Sequence, residues 1–362
     1  MVLDNSTYWA SSFPPSTSYQ SLPSKGNKFF FMIKSTAPTR IDLAGGTLDI
    51  WPLYLRFGNP PTLNAAISLY ATVELTPRND RKIFVKSKDL LCQAKFNSIR
   101  SLPEKHPLDL ILKTLKYYQP KKGLNIVTSS EAPPGSGIGG SSALNIALHG
   151  ALNAFTKKGL DKKQMLEAAM NIETQVISVP TGWQDYFPPL YGGVRSVRPG
   201  FDGVDSVALP ISLHELSENM VLCYTGNPRR SGINNWKVMK KVLDGDQGVT
   251  EKLKKIAEIA REMDKALTLR KMKKVTTLFA LEWAARKALA PTISTPHMDK
   301  LIAGAIKKGA QAAKVCGAGG GGCIAFMVPS KKRESVVSEL IRLKGQVIPF
   351  RFVKRGLRVQ VT

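Results

Sequence analysis

The sequence predicts an α+β protein of two domains, with a strand, a glycine-rich loop and a helix at its centre. Three observations predict it. Leu124-Asn125-Ile126-Val127-Thr128 reads as a strand and Ala143-Leu144-Asn145-Ile146-Ala147-Leu148 as a helix, joined through Pro133-Pro134-Gly135-Ser136-Gly137-Ile138-Gly139-Gly140-Ser141-Ser142. Much of Asn234 to Gly309 has helical periodicity, with an apolar stripe at Leu253, Ile256, Ala260, Met263 and Leu267. The chain then ends strand, helix, strand, an order that packs as a compact α+β unit. At 362 residues, 43% hydrophobic and 22% charged, it is long enough for two cores.

Residues 1–27 lack the basic and apolar regions of a signal peptide and are expected to form a flexible arm. Lys28 to Lys34 reads as a strand, followed by a glycine-punctuated, charged segment, Ser35 to Ile50. Ala65 to Thr76 and Lys82 to Lys86 read as strands around the turn Pro77-Arg78-Asn79-Asp80. Pro107 to Tyr118 reads as a helix. After the glycine loop, helices are expected over Ser142 to Gly159 and Asp161 to Ser178, with Asp161 as N-cap. Strand-like pieces at Gly193 to Val197, Ser206 to Leu209 and Met220 to Tyr224 follow. The domain boundary is placed between them, giving domains 28–215 and 216–362. The second ends with the glycine-rich stretch Ala313 to Val328, a helix over Lys332 to Lys344, and strands at Gln346 to Val353 and Leu357 to Val361.

No apolar run approaches the roughly 18–20 residues of a membrane span, so no membrane association is expected. The four cysteines and four histidines lack metal-ligand spacing, and a reducing cytoplasm is the simplest setting. Charge is unusual: 52 Lys and Arg against 27 Asp and Glu, a net +25 concentrated after Arg229, which favours anionic partners. An anionic substrate, a nucleic-acid or membrane surface, and a basic proteome all account for it. A nucleic-acid partner is not expected, because no reader motif accompanies the charge.

The glycine loop suits phosphate. Glycines let consecutive N–H groups converge on an anion, the serines add hydroxyls, and the following helix offers its positive end. Gly135-x-Gly137-x-x-Gly140 also matches the dinucleotide fingerprint, but Asp161 in the acidic position leads into helix instead of ending a second strand. No Gly-Lys-Ser/Thr follows, which excludes a Walker A loop. A glycine-rich turn that merely packs strand on helix is the bland alternative.

Three segments in this order resemble the GHMP small-molecule kinases: Ala37-Pro38-Thr39-Arg40-Ile41-Asp42-Leu43-Ala44-Gly45-Gly46-Thr47-Leu48-Asp49, the loop above, and Lys314-Val315-Cys316-Gly317-Ala318-Gly319-Gly320-Gly321-Gly322. Ala44-Gly45-Gly46, Leu63-Asn64-Ala65-Ala66-Ile67 and Gln184-Asp185 with Tyr191-Gly192-Gly193 are most similar to the heptose-phosphate kinase branch. Thr47-Leu48 and Trp183 depart from its pattern, and Gly45-Gly46-Thr47-Leu48-Asp49 disfavours the isoprenoid branch. The resemblance implies a GHMP fold, with an N-terminal mixed α/β domain that binds ATP and a ferredoxin-like C-terminal domain. It implies transfer of the ATP γ-phosphoryl group to a hydroxyl of a sugar or sugar phosphate. A non-catalytic nucleotide- or nucleic-acid-binding protein that keeps the fold is the alternative.

Site residues follow from the matched positions. Asp185 would be the general base, or else an Asp that caps a turn; Arg40 would stand beside it, or else form a structural ion pair. Pro134, Gly135, Ser136, Gly137, Ile138, Gly139, Gly140, Ser141 and Ser142 would hold ATP. Ser141, with Ser142 as alternative, and Glu173 would hold Mg2+. Asp49, Gly46 and Thr47 would meet the sugar. Gly317 and Gly319, together with Gly320, would pack the third segment on the phosphate loop. Arg195, Arg198, Arg229 and Arg230 are the nearest cations for a substrate phosphate, with nothing to select among them.

Overall fold

The first strand is longer than expected. In the computed structural model, which describes residues 31–228 and 233–362, β1 runs Ile33–Ala44, through Arg40 and Asp42. The expected strand stops at Lys34, yet a register shift between Pro38 and Thr39 accommodates the proline's missing N–H, and pairing with β2 (Thr62–Pro77) resumes beyond it. Ala37 to Ala44 are all buried, so the strand has no polar face to alternate with. The expected arm, and the first residues of the expected strand, lie outside the described residues.

A short helix α1 (Leu53–Arg56) links β1 to β2. β3 (Ile83–Ser87) and β4 (Cys92–Phe96) pair antiparallel, helix α2 (Asp109–Tyr118) follows, and β5 (Leu124–Ser130) lies parallel to β3 and antiparallel to β2. Next come α3 (Gly140–Thr156), α4 (Lys162–Ile177), α5 (Phe187–Tyr191), and the pair β6 (Val194–Gly200) and β7 (Gly203–Ala208). α3 is buried from Ser142 through Leu152, as a helix apolar on all sides must be. Asp161 caps α4 in a reciprocal box, Gln164 N donating to Asp161 Oδ1 at 2.8 Å.

Helix α6 (Leu213–Glu218) leads to β8 (Met220–Tyr224). Helices α7 (Ile233–Leu243), α8 (Gln247–Thr268), α9 (Met272–Lys287) and α10 (Pro296–Lys307) precede β9 (Ala312–Val315) and β10 (Cys323–Met327). The expected apolar stripe on α8 is fully buried. After α11 (Arg333–Arg342) and β11 (Gln346–Ile348), the second sheet closes in the order β11-β8-β10-β9, all antiparallel. Helices between β8 and β9 and between β10 and β11 give the ferredoxin-like β-α-β-β-α-β order.

The last strand, β12 (Arg358–Val361), leaves that sheet and pairs with β1 at the edge of the first, whose order is β12-β1-β2-β5-β3-β4, with β6 and β7 branching from β2. A pattern of alternating residues identifies a strand without identifying its neighbour, and β11 is shorter than expected for the same reason. Residues 31–362 thus form one compact unit with two sheets. No helix among the described residues is long and apolar enough to cross a membrane.

Candidate active site

The loop from Glu131 to Gly139 joins β5 to α3. Gly135, Gly137 and Gly139 have φ of 66°, 78° and 75°. Gly139 caps α3 in the left-handed region, and a Cβ there would lie 3.3 Å from Arg40 Cγ. β1 holds the loop from below: Arg40 N donates to Ile138 O at 2.9 Å, and Arg40 Nη1 to Gly137 O at 2.8 Å. From the other side Cys323 N donates to Ser136 O at 2.7 Å. A Cβ on Gly322, φ 86°, would sit 2.6 Å from that same oxygen, so the two glycine-rich segments meet at a point only glycine permits.

Above the loop is a cavity of about 330 Å³. Its apolar wall includes Leu90, Pro107, Leu108, Ile111 and Leu144. Its polar wall includes Arg40, Ser136, Ser141, Ser142, Glu173, Gly182, Asp185 and Asn235, with Pro134, Gly135, Gly137, Gly139 and Gly140 along the loop. Ile138 instead points into the core. Leu144 on α3 apart, the apolar wall was not foreseen, since its residues come from just after β3 and from the start of α2, far from the loop in sequence.

Asp185 ends a 3₁₀ turn, Trp183–Asp185, its side chain 29% exposed. Buried Arg40 donates Nε to Asp185 Oδ1 at 2.8 Å, and its Nη2 makes a second, short contact with the same oxygen. Burial works against the Arg40 charge, but Asp185 and Asp42 outweigh it and raise its pKa. Glu173, on α4, accepts from both candidate serines: Ser141 Oγ to Oε1 at 2.5 Å and Ser142 Oγ to Oε2 at 2.9 Å. Ser141 is exposed and Ser142 buried. Burial raises the Glu173 pKa, Asp185 adds to it, and the serine hydroxyls oppose both.

Asp49 lies in the turn after β1, fully buried. Gln184 N donates to its Oδ2 at 2.7 Å, while Oδ1 has no hydrogen-bond partner among the described residues. Burial is the chief reason its pKa is raised to about 7, with Asp185 contributing. Thr47 holds φ at 77°, costly for a β-branched residue. Its hydroxyl donates to Asn235 Oδ1 at 2.8 Å and accepts from Arg286 Nη1 at 3.3 Å, and Arg286 Nη2 donates to Gly46 O at 2.9 Å. Gly317 N donates to Asp42 Oδ1 at 2.9 Å, whereas Gly319 packs on Ile293 and Gly320 N donates to Ile293 O. The contact of the third segment with the glycine-rich loop therefore runs through Gly322 and Cys323.

Behind Arg40 lies a buried charge cluster that sequence reasoning missed. Lys314 Nζ makes a short ion pair with Asp42 Oδ2 and lies 3.6 Å from Glu282 Oε2. Arg286 donates Nε to Glu282 Oε1 at 2.9 Å, and Arg40 Nη1 is 4.0 Å from Asp42 Oδ1. Burial pushes the Asp42 pKa up, but Lys314, Arg40 and Arg286 overcome it and hold it below the ordinary value. Two signals could have found the cluster: a lone lysine in the apolar strand Ala312–Val315, and Glu282 and Arg286 four apart on the buried side of α9.

Of the four arginines expected near a substrate phosphate, the two described ones lie away from the cavity. Arg195 donates to Ser206 and lies over the Tyr191 ring, Arg198 pairs with Asp264, and neither lines the cavity; Arg229 and Arg230 fall outside the described residues.

Comparison with known proteins agrees with this architecture. Residues 108–193 match the family profile described as GHMP kinases N terminal domain, and residues 269–345 that described as GHMP kinases C terminal. The chain is 27% identical over 336 residues to the D-glycero-alpha-D-manno-heptose 7-phosphate kinase of Campylobacter jejuni, covering 90% of this chain and 98% of that protein. It is similar to the crystal structure of a D-glycero-D-manno-heptose 1-phosphate kinase from Bacteroides thetaiotaomicron, with TM-score 0.74, 26% identity, and 91% and 98% of the two chains covered. A mevalonate kinase of Thermococcus sibiricus is 26% identical over 252 residues, 66% of this chain and 70% of that one.

Proposed function

Because the chain belongs to the GHMP kinases, we propose that it transfers the γ-phosphoryl group of ATP to a hydroxyl of a sugar phosphate, a heptose phosphate or a related hexose phosphate. It is an ATP-dependent phosphotransferase with an alcohol as acceptor. The observation that carries the reading is the Arg40 and Asp185 pair, set beside an amide-lined loop at the head of a long helix. Over about nine-tenths of the chain the relatives named for heptose phosphates are 27% and 26% identical and the mevalonate kinase structures 21%, which favours the sugar branch. The matched family segments fall within the domains 28–215 and 216–362. A cytoplasmic setting supplies the ATP.

The residues divide the work. Backbone amides of the loop and of the first turn of α3 receive phosphate oxygens, and the Leu90, Pro107, Leu108 and Ile111 wall suits a purine. Arg40 spends its contacts on Asp185 Oδ1 and Gly137 O, so Asp185 Oδ2 is the oxygen left to take a proton. As the acceptor oxygen bonds to the γ-phosphorus, Asp185 accepts its proton and the bond to ADP breaks. Asp49 accepts from an acceptor hydroxyl through its unpartnered oxygen.

The donor set around Glu173, a carboxylate that burial disfavours as an anion and an exposed serine hydroxyl, fits a hard divalent cation. Ser141 and Glu173 would hold Mg2+, with Ser142 steadying the carboxylate from behind. When bound, the ion neutralises and orients the triphosphate.

ADP release against heptose phosphates, hexose phosphates and free sugars tests the reading. Asp185→Asn should lower turnover about 10²–10⁴-fold while ATP still binds; a variant with full turnover would remove Asp185 from the role of base.

A further inference from the structure

We propose that Asn235 is a catalytic residue that donates a side-chain N–H to an oxygen of the phosphoryl group in transfer, with Thr47 as the positioning residue that orients its amide; this rests on the phosphoryl-transfer reading above. The ground is a placement. Asn235 sits in the first turn of α7 and lines the cavity together with Asp185, Arg40 and the glycine-rich loop. It is half-buried, so a ligand in the cavity can reach it. Beyond residue 215, Ala318 is the other described residue in the cavity wall, and it brings no polar side chain.

The orientation of the amide follows from its partner. Thr47 is buried, and its hydroxyl accepts from Arg286 Nη1 at 3.3 Å, a group that can only donate. The hydroxyl proton is then free to be given, and it goes to Asn235 Oδ1 at 2.8 Å. With its oxygen spent on Thr47, Asn235 has its NH2 group, two donors, to offer the cavity. Arg286 is held in turn by Glu282 and by Gly46 O, so a line of hydrogen bonds runs from the buried charge cluster through Thr47 to the cavity wall. Thr47 keeps its place at a φ of 77°, which a β-branched residue adopts at a cost and only where its surroundings over-determine it.

The chemistry of the cavity says what a donor is for there. Asp185 and Glu173 are acceptors, Ser141 and Ser142 give their hydroxyls to Glu173, and Arg40 gives N–H groups to Asp185 and Gly137 O. A sugar hydroxyl that reacts must give up its proton, and Asp185 serves that need. The phosphoryl group carries only acceptor oxygens, over which charge is spread in the transition state. A donor fixed beforehand at that place stabilises the transition state without having to reorganise as the reaction proceeds. The substrate's own phosphate offers the same oxygens, but the cavity that Asn235 lines is the one shared by the loop at the head of α3 and by Asp185, where the bond to phosphorus is made.

The test measures the single-turnover rate and both KM values, with sugar phosphates and the matching free sugars, for the parent protein, Asn235→Ala, Asn235→Asp, Thr47→Val and the double variant Thr47→Val with Asn235→Ala. Asn235→Ala should slow the chemical step about 10–100-fold, the worth of one hydrogen bond to a charged group, with the KM for ATP and for acceptor little changed. Asn235→Asp keeps an oxygen for Thr47 but loses the donor, and should slow the step at least as far. Thr47→Val should slow it less, and should add nothing once Asn235 is alanine. Binding of ADP with magnesium and aluminium fluoride, a mimic of the group in transfer, should weaken in Asn235→Ala by the same factor as the rate, while ATP binding holds. A fully active Asn235→Asp would make the residue a structural partner of Thr47 and overturn the proposal. So would an Asn235→Ala protein whose rate is unchanged but whose KM rises for sugar phosphates and not for free sugars, since the donor then grips the substrate's own phosphate. A parent protein that binds ATP but phosphorylates no sugar or sugar phosphate would overturn the kinase reading itself, and the role of Asn235 with it.

Discussion

The glycine-rich loop and the buried charge cluster grip the same residue, Arg40, by different physics. The loop takes it through backbone carbonyls of consecutive residues, in a shape that glycine φ values dictate. The cluster takes it through Asp42, two residues along the same strand, which is itself held by full charges from two remote elements: Lys314 on β9, and Glu282 and Arg286 on α9. The loop is therefore a local device that can fail locally. The cluster joins the strand bearing Arg40 to the second sheet and its helices, so a fault there reaches the whole unit.

Removing Lys314 should separate the two most sharply. Lys314→Met leaves Asp42 and Glu282 buried without the cation between them, and loss of one partner of a buried pair costs about 3–5 kcal/mol. Urea denaturation should show that drop in stability. Adding Asp42→Asn to the same chain should recover part of it, because Glu282 keeps Arg286 as its partner, Arg40 keeps Asp185, and the carboxylate that lost its ion pair is gone. A Lys314→Met protein as stable as the parent would mean that packing, and not charge, holds the cluster.

Gly139→Ala is the matching change in the loop. A left-handed φ on alanine costs about 1–2 kcal/mol, and the new Cβ would press on the Arg40 side chain at 3.3 Å. Stability should fall less than for Lys314→Met, yet turnover should fall more than stability alone explains, since the amides at the head of α3 shift with the loop. Equal losses of folding and turnover in both variants would erase the distinction between the regions.

This contrast also explains what was legible in the sequence. The loop, the α3 that follows and the Asp161 cap are each written in one short run, so spacing and residue type suffice to find them. Lys314, Glu282 and Arg286 acquire meaning only when β1, β9 and α9 converge, and a single chain does not announce that convergence. The length of β1 is hidden for a related reason: a charged, glycine-punctuated run after Lys34 does not look like strand until its pairing with β2 shows it buried on both faces. Asp185, Glu173 and Asp49 were found by matched position in a resembling family, and their hydrogen bonds to Arg40, to the two serines and to Gln184 came only with the fold.

The smallest expected effect lies where both regions border the acceptor. Asp49 is buried near Asp185 on one side and the Arg286 end of the cluster on the other, and burial raises its pKa to about 7. Because the group ionises near pH 4 when exposed, the folded protein retains a proton there between about pH 4 and 7, and its contribution to stability declines as pH rises through that window. Acceptor binding runs the other way, since the ionised carboxylate is the better acceptor of a sugar hydroxyl. The acceptor KM should thus climb by up to about tenfold for each pH unit below about 7, with the KM for ATP nearly level. In Asp49→Asn the acceptor KM should be high and insensitive to pH across this range. A parent KM that stays flat from pH 5 to 8 would show that Asp49 does not titrate in contact with the acceptor, and would leave the loop side of the site, not the Asp49 turn, to set acceptor affinity.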